Sequence, residues 1–306
     1  MRVILQKIAK LLPFCLAILF ISPVVKAIEN NNQIPAKTPQ RVIVLDWDLL
    51  EQILTLEVIP IGATEITGYN QWVAYPVAPN SIEEIGMRAE PNLEKIASLK
   101  PDLILASRSQ QDLLPVLKTI APVVYLPNFS RQDNAAQVAL AHFNTLASLF
   151  GKQAIAQQKL TEMEATFIQL KAKLQQAFIT LPEVEVIRFS TLTSVFLYTE
   201  NSTTDYVVNK LGLKSAISLP PQPWGIDQRR MKVLQQITQG YVLYMLPFPD
   251  EAKLKKSVLW QAMPFVQNGH FHSMKPVWNY GGVTSLTLMA EAITESLLDM
   301  APNNEN

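Results

Sequence analysis

Short apolar runs recur along the chain, and each is bounded by proline, aspartate or glycine. Four of them occupy residues 41–45, 103–106, 123–125 and 241–244. Continuous apolar runs of this length are typical of strands that are buried on both faces of a sheet. The sequence therefore predicts several short, buried strands.

Helical patterns lie between these runs. In residues 92–99, for example, Leu93, Ile96 and Leu99 fall on one face, and Lys100-Pro101 ends the pattern. Strands that alternate with helices in this way indicate an α/β fold with mainly parallel sheets.

Residues 152–178 contain neither glycine nor proline, and apolar side chains recur there at helical intervals. This segment predicts one helix about 40 Å long at 1.5 Å per residue. Because it lies near the middle of the chain, we expect it to join two lobes. The predicted organisation is an N-terminal α/β lobe over 28–150, the long helix within 151–180 and a C-terminal α/β lobe over 181–306.

The first 27 residues read as a secretory signal peptide. Arg2, Lys7 and Lys10 form a basic start, residues 11–25 are apolar, and residues 25–27 offer a small-residue cleavage site. The apolar stretch is shorter than the roughly 20 residues of a membrane-spanning helix. The sole cysteine, Cys15, lies inside it, so the mature chain has no thiol. We expect a cleaved signal and a periplasmic protein.

Charge and motif content exclude several classes of function. Lysine plus arginine balances aspartate plus glutamate at 26 each, which argues against nucleic-acid binding. Three histidines and no mature cysteine offer little for a metal site. The usual catalytic signatures, such as Gly-x-Ser-x-Gly and His-Glu-x-x-His, are missing. We predict a protein that is not an enzyme, with an exported α/β enzyme as the alternative from another class.

Three tryptophans, Trp72, Trp224 and Trp278, lie in loop sequence bounded by proline or glycine. Arg88 supplies a cation in a similar setting. Together they predict an aromatic-walled pocket closed by one guanidinium. Core packing is the alternative for each tryptophan, and it is the better explanation for Trp260, which lies in a helical run.

Arg88 has an alternative role as well. Three nearby acids, Glu83, Glu84 and Glu90, offer it an ion pair that would have only a structural purpose. From the residues alone, the pocket role and the ion-pair role are equally open.

Several stretches resemble the periplasmic ferric-hydroxamate siderophore-binding proteins of ABC importers. The most specific are the Arg-x-Glu-Pro-Asn-Leu-Glu stretch, the Leu-Trp-Gln-Ala-Met-Pro-Phe-Val run and the Val-Trp-x-Tyr-Gly motif, in residues 88–94, 259–266 and 277–281. The resemblance covers nearly all of the mature chain. It implies two α/β lobes joined by one long helix, with a shallow ligand cleft between them.

The resemblance also assigns the pocket residues and the partners. By position, Trp72 and Arg88 belong to the first lobe's wall, and Trp224, Trp278 and Tyr280 to the second's. Iron(III) would arrive only as a siderophore complex whose six oxygen ligands already satisfy it, so no cofactor is bound directly. The implied partners are the siderophore, an inner-membrane ABC permease and its ATPase, with the receptor itself a monomer.

Three departures from the family pattern bear on ligand preference and docking. Ser107 and Arg108 follow a strand where the family has aromatic residues, and Gln222 replaces an asparagine. We expect the pocket to be less aromatic and more basic beside Ser107 and Arg108. These two residues and Gln222 are further candidates for the site. Lys232 and Pro115 occupy the positions of the family's permease-docking acids.

Two other ligand classes stay open at this point. Arg108 would add positive charge and suit an anionic ferric chelate, a catecholate or a citrate. A corrinoid or haem would also stack on aromatic rings, and Tyr280 is the only axial-ligand candidate for haem in the matching motifs.

Overall fold

The computed structural model describes residues 37–302 of the chain. The predicted signal peptide, residues 1–27, lies outside the described residues. Two separate sheets form the framework, and helices cover both of them. The prediction of an α/β fold with two lobes is confirmed.

The first sheet has five strands, all paired in parallel, in the order β3-β2-β1-β4-β5. The strands are short, and most of their residues are buried, with exposed β3 at the edge. They are β1 Val42–Val44, β2 Gly62–Ala63, β3 Glu83–Glu84, β4 Leu103–Ala106 and β5 Val123–Tyr125. The helices of this part are α1 Trp47–Thr55, α2 Ile66–Trp72, α3 Leu93–Ser98, α4 Leu114–Ile120 and α5 Ala135–Phe150.

The second sheet is mixed, in the order β11-β10-β6-β7-β9, with β8 beside β6. Strands β10, β11, β6 and β8 pair in parallel, whereas β7 is antiparallel to β6 and to β9. The strands are β6 Glu183–Thr191, β7 Ser194–Tyr198, β8 Lys214–Ser215, β9 Ile226–Arg230, β10 Tyr241–Met245 and β11 Phe271–Met274. The prediction of mainly parallel sheets therefore holds best for the first sheet.

One long helix, α6 Gln153–Ala177, connects the two sheets and confirms the helix predicted over 152–178. It buries Met163, Phe167, Leu170 and Leu174 along one side. The later helices are α7 Thr203–Lys210, α8 Glu251–Lys255, α9 Val258–Gln261, α10 Pro264–Gln267 and α11 Val283–Leu298. Helix α11 packs on α6, and so does α5. The domain boundaries at residues 150 and 180 stay a prediction.

A single apolar core runs through both lobes. Val44 on β1, Leu170 on α6 and Leu243 on β10 belong to the same buried cluster. Two smaller cores lie within the individual lobes. Because interiors pack at near-crystalline density, a core shared by both lobes resists large hinge motion.

Strand β6 buries a carboxylic acid that should make stability depend on pH. Glu185 is 2% exposed, and its Oε2 accepts a hydrogen bond of 2.9 Å from the Ile217 amide. Burial raises its pKa from 4.5 to about 8. Between pH 4.5 and about pH 8, the folded protein keeps a proton on Glu185 that the unfolded chain has lost. The contribution of Glu185 to stability therefore falls as the pH rises through this range.

Glu185→Gln keeps the acceptor oxygen but cannot ionise. Between pH 5 and pH 9, the wild type should lose roughly 1–2 kcal/mol of unfolding free energy that the Glu185→Gln variant keeps. The expected difference is smaller than the full pKa shift implies, because buried charges relax toward water. Urea unfolding at the two pH values measures this. Glu183→Gln, at an exposed position on the same strand, is the control. Equal pH dependence in the wild type and Glu185→Gln would contradict the prediction.

Candidate functional site

A cleft of about 530 Å³ lies between the lobes. It sits beyond the carboxyl ends of β1 and β4, the usual ligand position in open α/β sheets. Its wall is formed by Asp46, Trp47, Asp48, Trp72, Arg88, Ser107, Ser109, Phe129, Arg188, Trp224, Ile226, Trp278 and Tyr280. The structure thus brings together all five principal residues predicted from sequence, from both halves of the chain.

The floor on the first-lobe side is built where β1 turns into α1. Asp46 caps this helix, because its Oδ1 accepts a hydrogen bond of 2.8 Å from the Trp47 amide. The Trp47 indole is buried, and its Nε1 donates to the Thr64 carbonyl at 3.3 Å. The guanidinium carbon of Arg88 lies 3.8 Å from the centre of the Trp47 ring. Stacking on an indole holds this cation flat.

Arg88 is also fixed by acids. Its Nε donates to Glu65 Oε2 at 2.7 Å, and its Nη1 lies 4.0 Å from Asp46 Oδ1. Arg88 therefore does form an ion pair, but its partner is Glu65 and not one of the three acids that lie nearer in sequence. Within residues 37–302, the Nη groups donate no hydrogen bond. They are left available to a ligand in the cleft.

Burial disfavours the charged forms of the two acids beside Arg88. The pKa of Asp46 is raised by burial, which outweighs the opposing effect of the Arg88 charge. The pKa of Asp48 is raised well above its ordinary value, first by burial and then by the neighbouring Asp46. The surroundings of both carboxyls thus oppose negative charge, and Arg88 is the charged group that favours it on Asp46.

The second-lobe wall is a cluster of aromatic rings into which Phe129 of the first lobe packs. Trp224, 43% exposed, stacks on Phe129 with ring centres 5.5 Å apart and planes at 14°. Tyr280 meets Phe129 edge-on at 5.3 Å and Trp278 at 5.3 Å. A hydrogen bond of 3.0 Å from the Trp224 amide to the Phe129 carbonyl ties the pair together. The result is a rigid aromatic surface with one indole face open to the cleft.

The remaining tryptophans differ in burial. Trp278 packs partly into the shared core, 5.4 Å from the Trp47 ring of the other lobe, so it serves both as core and as cleft wall. Trp72, at the end of α2, is 48% exposed. Trp260 is 1% exposed in the second lobe's own core, as expected for a packing residue.

A buried carboxylate of the first lobe holds the loop that carries Trp278 and Tyr280. Glu51 on α1 accepts hydrogen bonds from the Gly282 amide at 2.6 Å and the Ser285 amide at 2.9 Å, at the start of α11. A Cβ at Gly281 would stand 2.1 Å from Glu51 Oε2, so only glycine fits there. Burial raises the pKa of Glu51 to about 7. These two hydrogen bonds, which we call the Glu51 clamp, join the two lobes next to the loop that lines the cleft.

Glu51→Ala should destabilise the protein by about 1–2 kcal/mol, because two buried amides lose their acceptor. The loss is partly offset since a buried acid is removed with them. Urea unfolding measures the change, and Glu90→Ala, at an exposed position, is the control. An unchanged midpoint in Glu51→Ala would show that the clamp does not hold the lobes.

The three further candidates from sequence are placed differently. Ser107 is buried and lines the cleft, and its amide donates to Gln110 Oε1 at 2.9 Å. Arg108 is exposed at the start of a 3₁₀ helix, outside the residues that form the wall. Gln222 is also outside the wall, where its main chain binds Asn201.

Sequence reasoning missed several wall residues, above all Arg188. This residue lies on β6 after Val184 and Val186, on the face that points to the shared core. The sequence did contain a signal for Arg188: it is the one arginine in the strand-like segment that forms β6, at the spacing that puts it on the same face as Val184 and Val186. The prediction of one guanidinium is wrong, because the cleft has two. Asp46, Trp47 and Asp48 follow directly on a predicted strand, and that position could have identified them.

Two further observations concern metals and membranes. Across residues 37–302, no group of three or more histidine, cysteine, aspartate or glutamate side chains is arranged to hold a metal ion. No helix in the same range is long and apolar enough to cross a bilayer.

Comparisons with known proteins give a consistent result. The periplasmic binding protein family model matches residues 42–277. The iron(3+)-hydroxamate-binding protein FhuD of Escherichia coli is 27% identical over 263 residues, covering 84% of this chain and 86% of that protein. The Fe(3+)-citrate-binding protein YfmC of Bacillus subtilis is 25% identical over 282 residues, covering 88% of this chain and 84% of that protein.

A solved structure is more similar still. The siderophore-binding protein FhuD of Vibrio cholerae, in a crystal structure with Fe³⁺-Desferal bound, is 63% identical, with a TM-score of 0.83. The match covers 86% of this chain and 99% of that one.

Proposed function

The chain belongs to the periplasmic binding protein family, and on that premise we propose that it captures a ferric siderophore of the hydroxamate type in the interlobe cleft. Members of this family bind substrates without transforming them, so the prediction that the chain is not an enzyme is confirmed. The captured complex then passes to an inner-membrane ABC permease and its ATPase.

One observation carries the proposal: four tryptophans, a tyrosine and Arg88 converge from both lobes on a single cleft. Its volume of about 530 Å³ falls in the range of small-molecule sites. A relative that shares 63% of the aligned residues binds the ferric trihydroxamate Desferal. A cleft of this size and shape suits a bulky, preassembled chelate.

The wall chemistry matches the outside of such a complex. Iron that is held by six hydroxamate oxygens needs no further ligand, so the protein recognises only the periphery. The Nη groups of Arg88 are placed to donate to the electron-rich oxygens, while Glu65 holds the fork in orientation. Trp224 and Trp278 offer flat apolar faces to the carbon chains of the siderophore.

The location and assembly follow from the same premise. We place the mature protein in the periplasm after cleavage of the signal predicted in residues 1–27, in keeping with the family's description. One chain supplies every wall of the cleft, so a monomer is sufficient for binding.

Tryptophan fluorescence of the mature protein tests the proposal. We expect strong quenching by ferric desferrioxamine, at least tenfold weaker binding of the iron-free siderophore, and weaker binding of a ferric tricatecholate, ferric citrate and haem. Tight binding of haem or the tricatecholate, with none of any ferric hydroxamate, would overturn it. Unchanged siderophore after prolonged incubation would distinguish the receptor from an enzyme.

A further inference from the structure

A second arginine stands in the cleft without an acid partner. The Arg188 guanidinium carbon lies 4.9 Å from the centre of the Phe196 ring, its cross-strand neighbour on β7. In the part of the chain that the structure describes, no carboxylate lies within 4.0 Å of it. Arg88, in contrast, has Glu65 at 2.7 Å and Asp46 at 4.0 Å.

The charges of the cleft are therefore unevenly distributed. The carboxylates of the wall, Asp46 and Asp48, both lie on the first-lobe side, next to Arg88. On the second-lobe side, the groups that feel the Arg188 charge are the hydroxyls of Tyr198 and Tyr280, and both are neutral. The second-lobe wall thus carries one net positive charge among aromatic rings.

A cation in such a place costs desolvation energy, and the Phe196 ring returns only part of it because no acid is paired with Arg188. A ligand with an anionic group would supply the missing partner. Because guanidinium and carboxylate form parallel, charge-assisted hydrogen bonds, a carboxylate is well suited to this position. A ligand that ends in an ammonium group would meet repulsion there instead.

We propose that Arg188 sets the specificity of the cleft by binding a peripheral carboxylate of the siderophore. The cleft then favours ferric hydroxamates that carry such a group over otherwise identical complexes with a cationic end. This inference rests on the proposed function. Arg88 donates to the iron-bound oxygens from the first lobe, and Arg188 binds the peripheral carboxylate from the second.

Two ferric complexes with the same iron centre test the inference. Desferrioxamine B ends in an ammonium group, and its N-succinyl derivative ends in a carboxylate. We expect the wild type to bind the ferric succinyl form at least fivefold more tightly. Arg188→Gln should weaken binding of the succinyl form about tenfold and change binding of the ammonium form less than threefold. Arg230→Gln, at an exposed position on β9, is the matched control and should leave both affinities unchanged.

The outcomes separate this inference from the proposed function. Equal losses for both complexes in Arg188→Gln, or no loss for either, would overturn the role of Arg188 while leaving the receptor function intact. Failure of the wild type to bind either complex would instead overturn the receptor function. Salt gives a test without mutation: in the wild type, 0.5 M NaCl should reduce the preference for the succinyl form, and an unchanged preference would contradict an ionic contact.

Discussion

Replacing Arg88 by alanine should weaken the binding of ferric desferrioxamine about 10- to 100-fold, the scale of a charge-assisted hydrogen bond. The variant loses the donors that face the cleft and the stacking on Trp47. It also leaves the Glu65 carboxylate without the 2.7 Å contact that now holds it. Fluorescence titration of both proteins with the ferric complex measures the change.

Two further variants show which property of Arg88 matters. Arg88→Lys keeps the charge but not the planar fork, and it should recover only part of the affinity. Arg108→Ala removes a nearby cation that lies outside the cleft wall, and it should bind normally. Full affinity in Arg88→Ala would remove this residue from the site.

Replacing Trp278 by alanine should both destabilise the protein and abolish tight binding. This indole packs against Trp47 of the other lobe and against Tyr280, and it belongs to the edge of the shared core. Because it is only partly buried, we expect a loss of about 2–4 kcal/mol, somewhat below that of a fully buried tryptophan. Urea unfolding measures the stability, and titration measures the binding.

Trp224→Ala is the matched comparison. Trp224 is 43% exposed, stacks on Phe129 and meets Tyr280 edge-on at 6.1 Å, but it lies outside the shared core, so its loss should cost only about 1 kcal/mol of stability. Its affinity for the ferric complex should still fall, because the open indole face is lost. A Trp278→Ala protein as stable as Trp224→Ala would show that the rings do not join the lobes.

The long helix and the cleft tryptophans could be predicted from the sequence, because each depends on residues that are close together in the chain. A stretch of 27 residues without glycine or proline has few alternatives to a helix, and α6 follows it within one residue at each end. Tryptophans in loop sequence bounded by proline or glycine predicted a cleft wall, and all three line the cleft, although Trp278 also packs against the shared core. The motif resemblance then supplied Tyr280.

The features that sequence missed depend on how distant segments meet. Glu65 adopts a left-handed conformation with φ of 49° before α2, and this brings its carboxylate to Arg88. Glu84, a closer candidate in sequence, instead accepts hydrogen bonds of 2.7 Å from the amides of Glu65 and Ile66. No local pattern indicates which acid takes which role.

The mixed second sheet is another such case. The short turn between β6 and β7 makes a hairpin, so these strands must be antiparallel, and Arg188 comes to lie opposite Phe196. Both consequences follow from one connection of two residues that the apolar pattern alone does not identify.

A crystal structure of the mature protein with ferric desferrioxamine, measured at the iron absorption edge, tests the central claim most directly. We predict one strong anomalous iron peak in the interlobe cleft, with hydroxamate oxygens at hydrogen-bond distance from Arg88 and carbon chains against Trp224 and Trp278. An iron peak elsewhere on the molecule, with the cleft filled only by water, would contradict the account.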